Sequence, residues 1–439
     1  MTAPGGAPVP QEPELAPSAV TIPSGRAVDS WPHPAQAPQL SRARAQEPAE
    51  WDAIVLSSFG GPEGQDDVIP FLRNVTRGRG IPDDRLEAVA GHYRANGGVS
   101  PINAQNRALL GALEQELRER GIDTPITWAN RNWEPYVADV LQSLHDQGSR
   151  RVLVLATSAF SGYSSCRQYR EDWGVALEQT GLGEQMVVGK IRQYFDMAGF
   201  LEPFVDGLRE ALLQRAERGP LRILFAAHSV PDTDALAAGP ETMREGFATG
   251  SAYADQLLAA SRKVMERTRA RLQDEGLSLP ESLSWDLVFQ SRSGPPSMPW
   301  LEPDINDAVE QAADDGAGSV IVVPIGFVSD HMEVLWDLDT EARETAQERG
   351  LGFARTPTPG THPAFVSGLA DLIEQRMAGR SGEPRSSACS DGTWFDDCPA
   401  DCCVKILRGS TEPRPTIAQR PEGEPIPVGL DETGQVVRA

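Results

Sequence analysis

The sequence predicts an α/β fold made of two similar halves, each with a parallel sheet flanked by helices. Short apolar runs alternate with longer amphipathic segments along the middle of the chain, a pattern typical of buried strands joined by helices. Two pairs of similar segments recur at almost the same spacing. AIVLSSFGGP and RILFAAHSVP end 169 residues apart, at Pro62 and Pro231, and VLVLATSAFS and VIVVPIGFVS begin 168 residues apart, at Val152 and Val320. The common spacing favours a duplicated unit, although any two buried strands have similar sequences.

Six apolar runs are too short for helices and too apolar for a sheet with one solvated face. We predict strands at Ala53–Ser58, Ile126–Ala129, Val152–Thr157, Ile223–Ala227, Leu287–Phe289 and Val320–Pro324. The amphipathic segments between them predict helices at Arg107–Arg120, Pro135–Gln147, Ala198–Gln214, Ala252–Gln273, Asp304–Ala313 and Met332–Arg349.

Charge and composition exclude several classes of protein. The 439 residues contain 40 Lys and Arg against 63 Asp and Glu, a net charge of −23, which disfavours binding to nucleic acid or to an anionic membrane. No apolar run approaches the ~18 residues of a membrane span, and the first basic residue is Arg26, unlike the charged start of a signal peptide. We therefore expect a soluble cytoplasmic protein with no integral membrane segment.

Composition also divides the chain. Residues 1–50 hold ten of the 36 prolines and lack apolar periodicity, so we predict a disordered Pro/Ala-rich extension. The two halves are expected at 51–215 and 216–380. A Cys-rich segment at 381–405 and a disordered tail at 406–439 complete the predicted organisation.

His228 is the first candidate for chemistry, because it directly follows a predicted strand at the edge where parallel sheets bind ligands. A neutral imidazole there could accept a proton or bind a metal. A hydrogen-bonded structural histidine is the alternative.

An acidic segment follows the last predicted strand. The residues 326–345 hold six acids against one base, and Glu333, Asp337 and Glu341 recur every four residues along one helix face. Such a line suits a divalent cation or protons moving along it. A solvated acidic face is the alternative, but a surface face would not normally begin directly after a buried strand.

Two further groups of residues give weaker signals. Arg77, Arg79 and Ser100 lie in glycine-rich loops where arginines could bind ligand carboxylates, although ordinary loop arginines are commoner. The five cysteines divide into Cys166 and a C-terminal group, Cys389, Cys398, Cys402 and Cys403, whose thiolates suit an iron–sulfur cluster or structural zinc; incidental thiols are the alternative.

The chain resembles the ferrochelatases in several motifs. These are FGGP at 59–62, NVTRGRG at 74–80, HSVP at 228–231, FQSRSGPPSMPWLEPD at 289–304 and VPIGFVSDHMEVLWDLDTE at 323–341. The first two motifs, with the following HYRANGGVSPINAQN, are similar to an actinobacterial branch of that family. The resemblance implies insertion of ferrous iron, as substrate, into a porphyrin held in a cleft between two Rossmann-like (chelatase) halves with four-stranded parallel sheets.

The resemblance also implies roles for particular residues. His228 matches the family's active-site histidine, a metal ligand and proton acceptor, and Glu333 matches the glutamate that faces it and shares the substrate iron. Asp337 and Glu341 continue the acidic line on a distorted helix. The family's porphyrin contacts fall on four residues here: Phe59, Arg77, Tyr93 and Ser100. Several relatives have tyrosine where this chain has Phe59, which lacks an oxygen and is limited to packing.

In the branch that the chain resembles, the substrate is coproporphyrin III, and the product enters haem b synthesis. Protoporphyrin IX is the alternative substrate, and a cobalt or nickel tetrapyrrole chelatase and a non-catalytic porphyrin carrier are the alternative functions. Many members of the branch carry a 2Fe–2S cluster bound by one internal and three C-terminal cysteines, which here means four of the five cysteines Cys166, Cys389, Cys398, Cys402 and Cys403. Transient contact with neighbouring haem-pathway enzymes is also implied.

Overall fold

The computed structural model describes residues 15–29, 46–215, 219–280, 282–380, 386–389, 393–420, 427–430 and 436–438. Within these ranges the chain forms two four-stranded parallel sheets and a two-stranded antiparallel pair. None of the helices in the described ranges is long and apolar enough to cross a membrane.

The first half contains a sheet with the spatial order β2-β1-β3-β4. Its strands are β1 (Ala53–Ser58), β2 (Ile126–Asn130), β3 (Arg151–Ala156) and β4 (Val187–Lys190). The helices of this half are α2 (Val68–Val75), α3 (Asp83–Ala95), α4 (Ile102–Glu119), α5 (Val137–Asp146), α6 (Gln168–Thr180) and α7 (Ala198–Gln214), and α1 (Gly25–Asp29) precedes them in the chain. β1 is buried along its whole length because helices cover both faces of the sheet.

The second half repeats this arrangement with the order β6-β5-β7-β8. Its strands are β5 (Leu221–His228), β6 (Leu283–Gln290), β7 (Ser319–Val323) and β8 (Gly352–Arg355). Its helices are α8 (Asp232–Leu236), α9 (Ala252–Asp274), α10 (Ile305–Asp314), α11 (Met332–Val334), α12 (Arg343–Glu348) and α13 (Pro363–Glu374), and a π-helical segment (Leu335–Ala342) joins α11 to α12. The pair β9 (Pro427–Leu430) and β10 (Val436–Arg438) lies near the C-terminus.

The predicted fold class is confirmed, with two parallel four-stranded sheets of matching strand order. All six predicted strands are present, but β4 and β8 were not predicted. Both are four-residue edge strands, and their sequences, VVGK and GFAR, contain a glycine and a basic residue. An edge strand pairs on one side only, so it needs no continuous apolar run.

Helix α13 ties the second half back to the first. It follows β8 in the chain but packs on α7 and α4 of the first half. Phe365 on α13 is fully buried, and its ring lies 6.0 Å from that of Phe200 on α7. The largest apolar core therefore runs from one half into the other and holds the two halves together.

The N-terminal segment (15–29) differs from the predicted disordered extension. Ser18 donates from Oγ to Asp232 Oδ1 at 2.8 Å, the Ala16 amide donates to the Pro296 carbonyl at 2.8 Å, and Val28 is completely buried. A few apolar residues suffice because they dock on a surface that is already folded. The rest of the predicted extension up to residue 45, namely 1–14 and 30–45, lies outside the described residues.

The predicted disordered tail also differs from the structure in part. Ile417 is 6% exposed, and the Cys398 amide donates to the Ala418 carbonyl at 3.0 Å. This segment packs on α6, where the backbone of Pro415 lies against Gly174. Residues 421–426, 431–435 and 439 lie outside the described residues.

Docking of the N-terminal segment gives a first prediction. A methyl group on Gly25 would lie 2.1 Å from the Trp285 ring, so we expect Gly25→Ala to lower the free energy of unfolding by about 1–3 kcal/mol. Urea denaturation followed by tryptophan fluorescence measures this loss. Gly111→Ala is the control, since a methyl group on that helical residue meets nothing within 4 Å and should be neutral or stabilising. Equal stability of the two variants would contradict the docking.

Candidate active site

His228 and Glu333 meet where two neighbouring strands of the second sheet end. β5 ends at His228, and Glu333 belongs to α11, which follows the loop after β7. His228 Nε2 lies 3.4 Å from Glu333 Oε2. The Tyr253 hydroxyl donates to the His228 carbonyl at 2.9 Å and fixes the end of the strand from α9. The predicted pair is therefore brought together, with a third of the imidazole still exposed to the cleft.

Each member of this pair stabilises the charged form of the other. Burial opposes the imidazolium of His228, but the Glu333 carboxylate more than offsets this and raises the pKa of His228. Burial also opposes the Glu333 carboxylate, yet its contact with His228 lowers the pKa of Glu333 to about 2. Glu333 is thus ionised at neutral pH, and His228 is a stronger base than a free imidazole.

His331 is a further site residue, at the end of the loop that the sequence placed at the carboxyl ends of the strands, but it was given no role of its own. Its Nδ1 lies 4.0 Å from Glu333 Oε2, and its ring contacts Phe327 with the centroids 5.1 Å apart. Burial lowers the pKa of His331, so the ring is neutral beside the carboxylate. Its position two residues before Glu333, in the loop after a buried strand, was the signal available in the sequence.

Asp337 lies next to the pair in a largely buried position. The Ser291 hydroxyl donates to Asp337 Oδ2, and the Gln290 side-chain amide donates to the same oxygen at 3.2 Å. Burial, with the nearby charges of Glu333 and Glu341, raises the pKa of Asp337 to about 7, although the Ser291 hydrogen bond opposes the rise. Asp337 can therefore gain and lose a proton near neutral pH. Gln290 and Ser291, at the end of β6, were not predicted as site residues.

The distorted helix implied by the resemblance is the π-helical segment Leu335–Ala342. Its wider turn changes the straight line of carboxylates expected from an α-helix. Glu341 is exposed at the outer end and accepts a hydrogen bond from Trp336 Nε1 at 2.8 Å. Trp336 in turn stacks on His92 of α3, with ring centroids 4.0 Å apart and planes inclined by 7°. This stack joins the first half to the acidic helix.

Two other acids of the segment do not belong to this line. Arg355 on β8 pairs with Asp339 at 2.8 Å and with Asp330 at 3.1 Å. Arg343 also pairs with Asp339, at 3.5 Å, so two guanidinium groups balance these two carboxylates and Glu333, Asp337 and Glu341 form the remaining line.

An apolar cluster that includes aromatic rings of the first half lies close to the acids. Phe59, which follows β1, and Tyr93 on α3 both pack around Phe71, with ring centroids 6.3 and 5.9 Å from it. Met332 and Leu335 of the second half join the same apolar cluster. Burial raises the pKa of Tyr93, and the charges of Glu333 and Asp337 raise it further, so the phenol stays neutral. Phe71 and Tyr93 are buried in this cluster, and Phe59 is the partly exposed ring that could contact a flat ligand.

Arg77 and Ser100 lie further from the acids. Arg77 is exposed in the loop between α2 and α3, where its guanidinium donates to Asn74 Oδ1 at 2.7 Å. Ser100 is buried against Gly61, and its amide donates to the Pro62 carbonyl at 2.9 Å. The structure therefore places these two residues in the first half, and neither makes a direct contact with the His228–Glu333 pair among the described hydrogen bonds.

Four cysteine thiols come together behind the first sheet. Cys166 lies in a π-helical turn (Tyr163–Arg167) after β3. All four of these thiols are free of disulfide bonds, and hydrogen-bond contacts join Cys166 to Cys403 and Cys398 to Cys402. Cys402 Sγ and Cys403 Sγ are 3.7 Å apart. The hydrogen bond from Cys402, with the charges of Lys190 and Arg170, lowers the pKa of Cys398 to about 6. Cys389 is also buried.

Neither the His228–Glu333 pair with its neighbouring acids nor the group of thiols forms the set of ligands that one metal ion requires. Among the described residues, no three His, Cys, Asp or Glu side chains converge as ligands of one metal ion. The cleft instead presents an imidazole–carboxylate pair with further acids beyond it, which suits a cation in transit together with protons. A two-halved α/β protein with such a cleft has the features of a metal chelatase.

Comparison with known proteins agrees with this class. The family model described as Ferrochelatase matches residues 51–377, so the chain belongs to the ferrochelatase family and is a metal-chelatase enzyme. The chain is 53% identical over 373 residues to the coproporphyrin III ferrochelatase of Leifsonia xyli. This alignment covers 83% of the present chain and 93% of the Leifsonia protein. It is 50% identical to the protein of the same name from Tropheryma whipplei (82% and 90% covered) and 48% identical to that of Streptomyces griseus (82% and 94% covered).

Proposed function

We propose that the chain inserts ferrous iron into coproporphyrin III and gives iron coproporphyrin III, an intermediate of haem b synthesis. The observation that carries this proposal is the His228–Glu333 pair, 3.4 Å apart at the end of the second sheet. Relatives called coproporphyrin III ferrochelatases, about 50% identical over most of the chain, support the choice of porphyrin.

The reaction replaces two pyrrole N–H protons by one Fe²⁺ ion, so the site must accept two protons and receive two positive charges. His228 accepts the first proton, because Glu333 stabilises the imidazolium that forms. The same two side chains supply the nitrogen and oxygen donors that ferrous iron accepts. They would hold the substrate iron before it enters the ring.

The second proton passes to Asp337, whose pKa of about 7 allows it to accept a proton and release it again. Glu341, exposed at the outer end of the π-helical segment, then returns protons to solvent. The same carboxylates attract the incoming cation. The same carboxylates would therefore serve both the entry of the cation and the release of protons.

The porphyrin would lie between the acids and the apolar cluster. Phe59 packs on the face of the macrocycle without an oxygen to bind iron, and Tyr93 belongs to the same cluster. Arg77, exposed at the mouth, would pair with propionates, and Ser100 shapes the loop below it. An arginine at the mouth suits a porphyrin with four carboxylates. Transient contact with neighbouring haem-pathway enzymes would pass the product on.

The substrate is tested by anaerobic insertion of Fe²⁺ into coproporphyrin III and protoporphyrin IX side by side. We expect the larger kcat/KM with coproporphyrin III. A larger value with protoporphyrin IX would overturn the choice of porphyrin but not the family. Insertion of Co²⁺ or Ni²⁺ into another tetrapyrrole, without iron insertion into either porphyrin, would overturn the proposed reaction.

The second part of the proposal is a 2Fe–2S cluster held by Cys166 and three of the four C-terminal cysteines. Such a cluster divides its ligands between two irons, so four thiols need not converge on one point. The donor set fits, since Cys166, Cys398, Cys402 and Cys403 are buried and lie in mutual contact. When bound, the cluster would supply a redox-active, oxygen-sensitive centre.

Cys166→Ser is expected to abolish cluster binding, because every choice of one internal and three C-terminal ligands includes Cys166. Labile sulfide and absorption between about 400 and 600 nm should both be lost from the anaerobically purified variant. Single Ser variants of the four C-terminal cysteines are the matched set, and one of them should retain the cluster. A full cluster in Cys166→Ser would contradict the assignment.

A further inference from the structure

A small buried cavity lies beside Cys166, between β3, β4 and α6. Its lining includes Cys166, Arg170, Lys190 and Ile417. Arg170 is 2% exposed, and its Nε donates to the Ile417 carbonyl at 2.9 Å. The two amino groups, Nη1 and Nη2, are buried and have no hydrogen-bond partner in the part of the chain that the structure describes.

A buried guanidinium is costly unless other groups replace the hydration of its amino groups, and no group in the described part of the protein does so here. Arg167, one turn earlier on the same helical stretch, differs from it. Arg167 pairs with Glu171 at 3.0 Å and donates to the Ala400 and Cys402 carbonyls. Among the described residues Arg170 makes no ion pair within 4 Å, and the Asp397 carboxylate acts on it only electrostatically, so its two amino groups are left for another acceptor.

The thiols are the groups that Arg170 faces. It interacts electrostatically with Cys166, Cys398, Cys402 and Cys403. Lys190 lines the same cavity, is 5% exposed, and donates from Nζ to the Phe395 carbonyl at 2.9 Å. Two buried cations thus stand beside one set of thiols, and this arrangement of charge favours thiolates over neutral thiols, since the pKa values of Cys398 and Cys403 are both lowered.

We infer that Arg170 is a positioning and charge-balancing residue for the cluster, donating its two amino groups to the cluster's sulfur atoms and setting its reduction potential. This inference rests on the proposed 2Fe–2S cluster. Four thiolates, two ferric ions and two sulfides leave an oxidised cluster doubly negative, and reduction adds one more negative charge. Arg170 and Lys190 supply two positive charges against it, and hydrogen bonds to sulfur favour the reduced form.

The test compares Arg170→Met, which removes the charge at similar length, with Arg170→Lys, which keeps the charge but loses the paired donors. The control is Lys405→Met, which removes a positive charge from the same Cys-rich region. Lys405 pairs with Asp234 and is 36% exposed, so solvent screens its charge. Reduction potential is measured by an electron paramagnetic resonance titration, and iron and labile sulfide per chain are measured on the same samples.

We expect a more negative potential in Arg170→Met, a smaller shift in Arg170→Lys, and no shift in Lys405→Met. Wild-type potential and wild-type iron and sulfide content in both Arg170 variants would overturn the inference while leaving the cluster in place. If Arg170→Met does not fold, Arg170→Lys decides, because its unchanged spectrum and potential would overturn the paired donation. Wild-type protein without labile sulfide or a resonance signal would overturn the cluster, and this inference with it.

Discussion

Replacing His228 by alanine is expected to lower kcat for iron insertion by at least about a hundred-fold while leaving porphyrin binding within a few-fold of wild type. The variant loses the group that accepts the first proton, and general base catalysis alone contributes roughly 10²–10⁴-fold. It also leaves Glu333 without the partner that holds its pKa near 2. Stopped-flow absorption of coproporphyrin III separates the two effects, since binding and metal insertion change the spectrum differently.

The control for this variant is His145→Ala. His145 lies in the last turn of α5, just before the start of β3. It is therefore close to the amino-terminal ends of the strands, whereas His228 lies at a carboxyl-terminal end. Its activity should equal that of wild type. Near-normal turnover in His228→Ala would remove His228 from the mechanism, and loss of porphyrin binding would reassign it to substrate binding.

Asp337→Asn is expected to change the pH dependence of kcat. Burial raises the pKa of Asp337 to about 7, so the carboxyl is neutral well below that pH and ionised above it. The neutral amide resembles the protonated acid. The rate ratio of wild type to variant should therefore be small near about pH 6 and rise through pH 7 to roughly ten- to a hundred-fold near about pH 8.

Glu344→Gln is the matched control, because it removes a carboxylate from the same helical stretch at an exposed position. Its pH profile should follow that of wild type. The main influences on the pKa of His228, burial and the Glu333 carboxylate, are the same in Asp337→Asn and wild type, so the ratio chiefly reports Asp337. A ratio that does not change with pH would contradict proton acceptance by Asp337.

The strands that carry the site were predictable because burial on both faces demands continuous apolar runs. AIVLSS and VIVVP are such runs, and His228 directly follows ILFAA, so the position of the histidine at a carboxyl edge followed from the sequence. The acidic residues could be placed at the same end of the sheet, because they follow the apolar run of β7. Edge strands β4 and β8 were missed, because they need no such run.

The partners of the site residues were not predictable. Ser291 reaches Asp337 because β6 lies beside β5 in the sheet, with Gln290 opposite His228. The stack of His92 on Trp336 joins residues from the two halves. Such contacts depend on packing across large sequence separations, for which a single sequence contains no periodic signal.

The sequence by itself determined the α/β class, the repeat, the family resemblance and the positions of His228, Glu333, Asp337 and Glu341 along the chain. These are local properties, since hydrophobic period and strand ends are encoded by neighbouring residues. Only the tertiary structure decided which acids form ion pairs, because Arg355, which belongs to β8, pairs with both Asp330 and Asp339. It also decided that residues 15–29 dock and that Arg170 faces the thiols, because burial and charge compensation are properties of the assembled core.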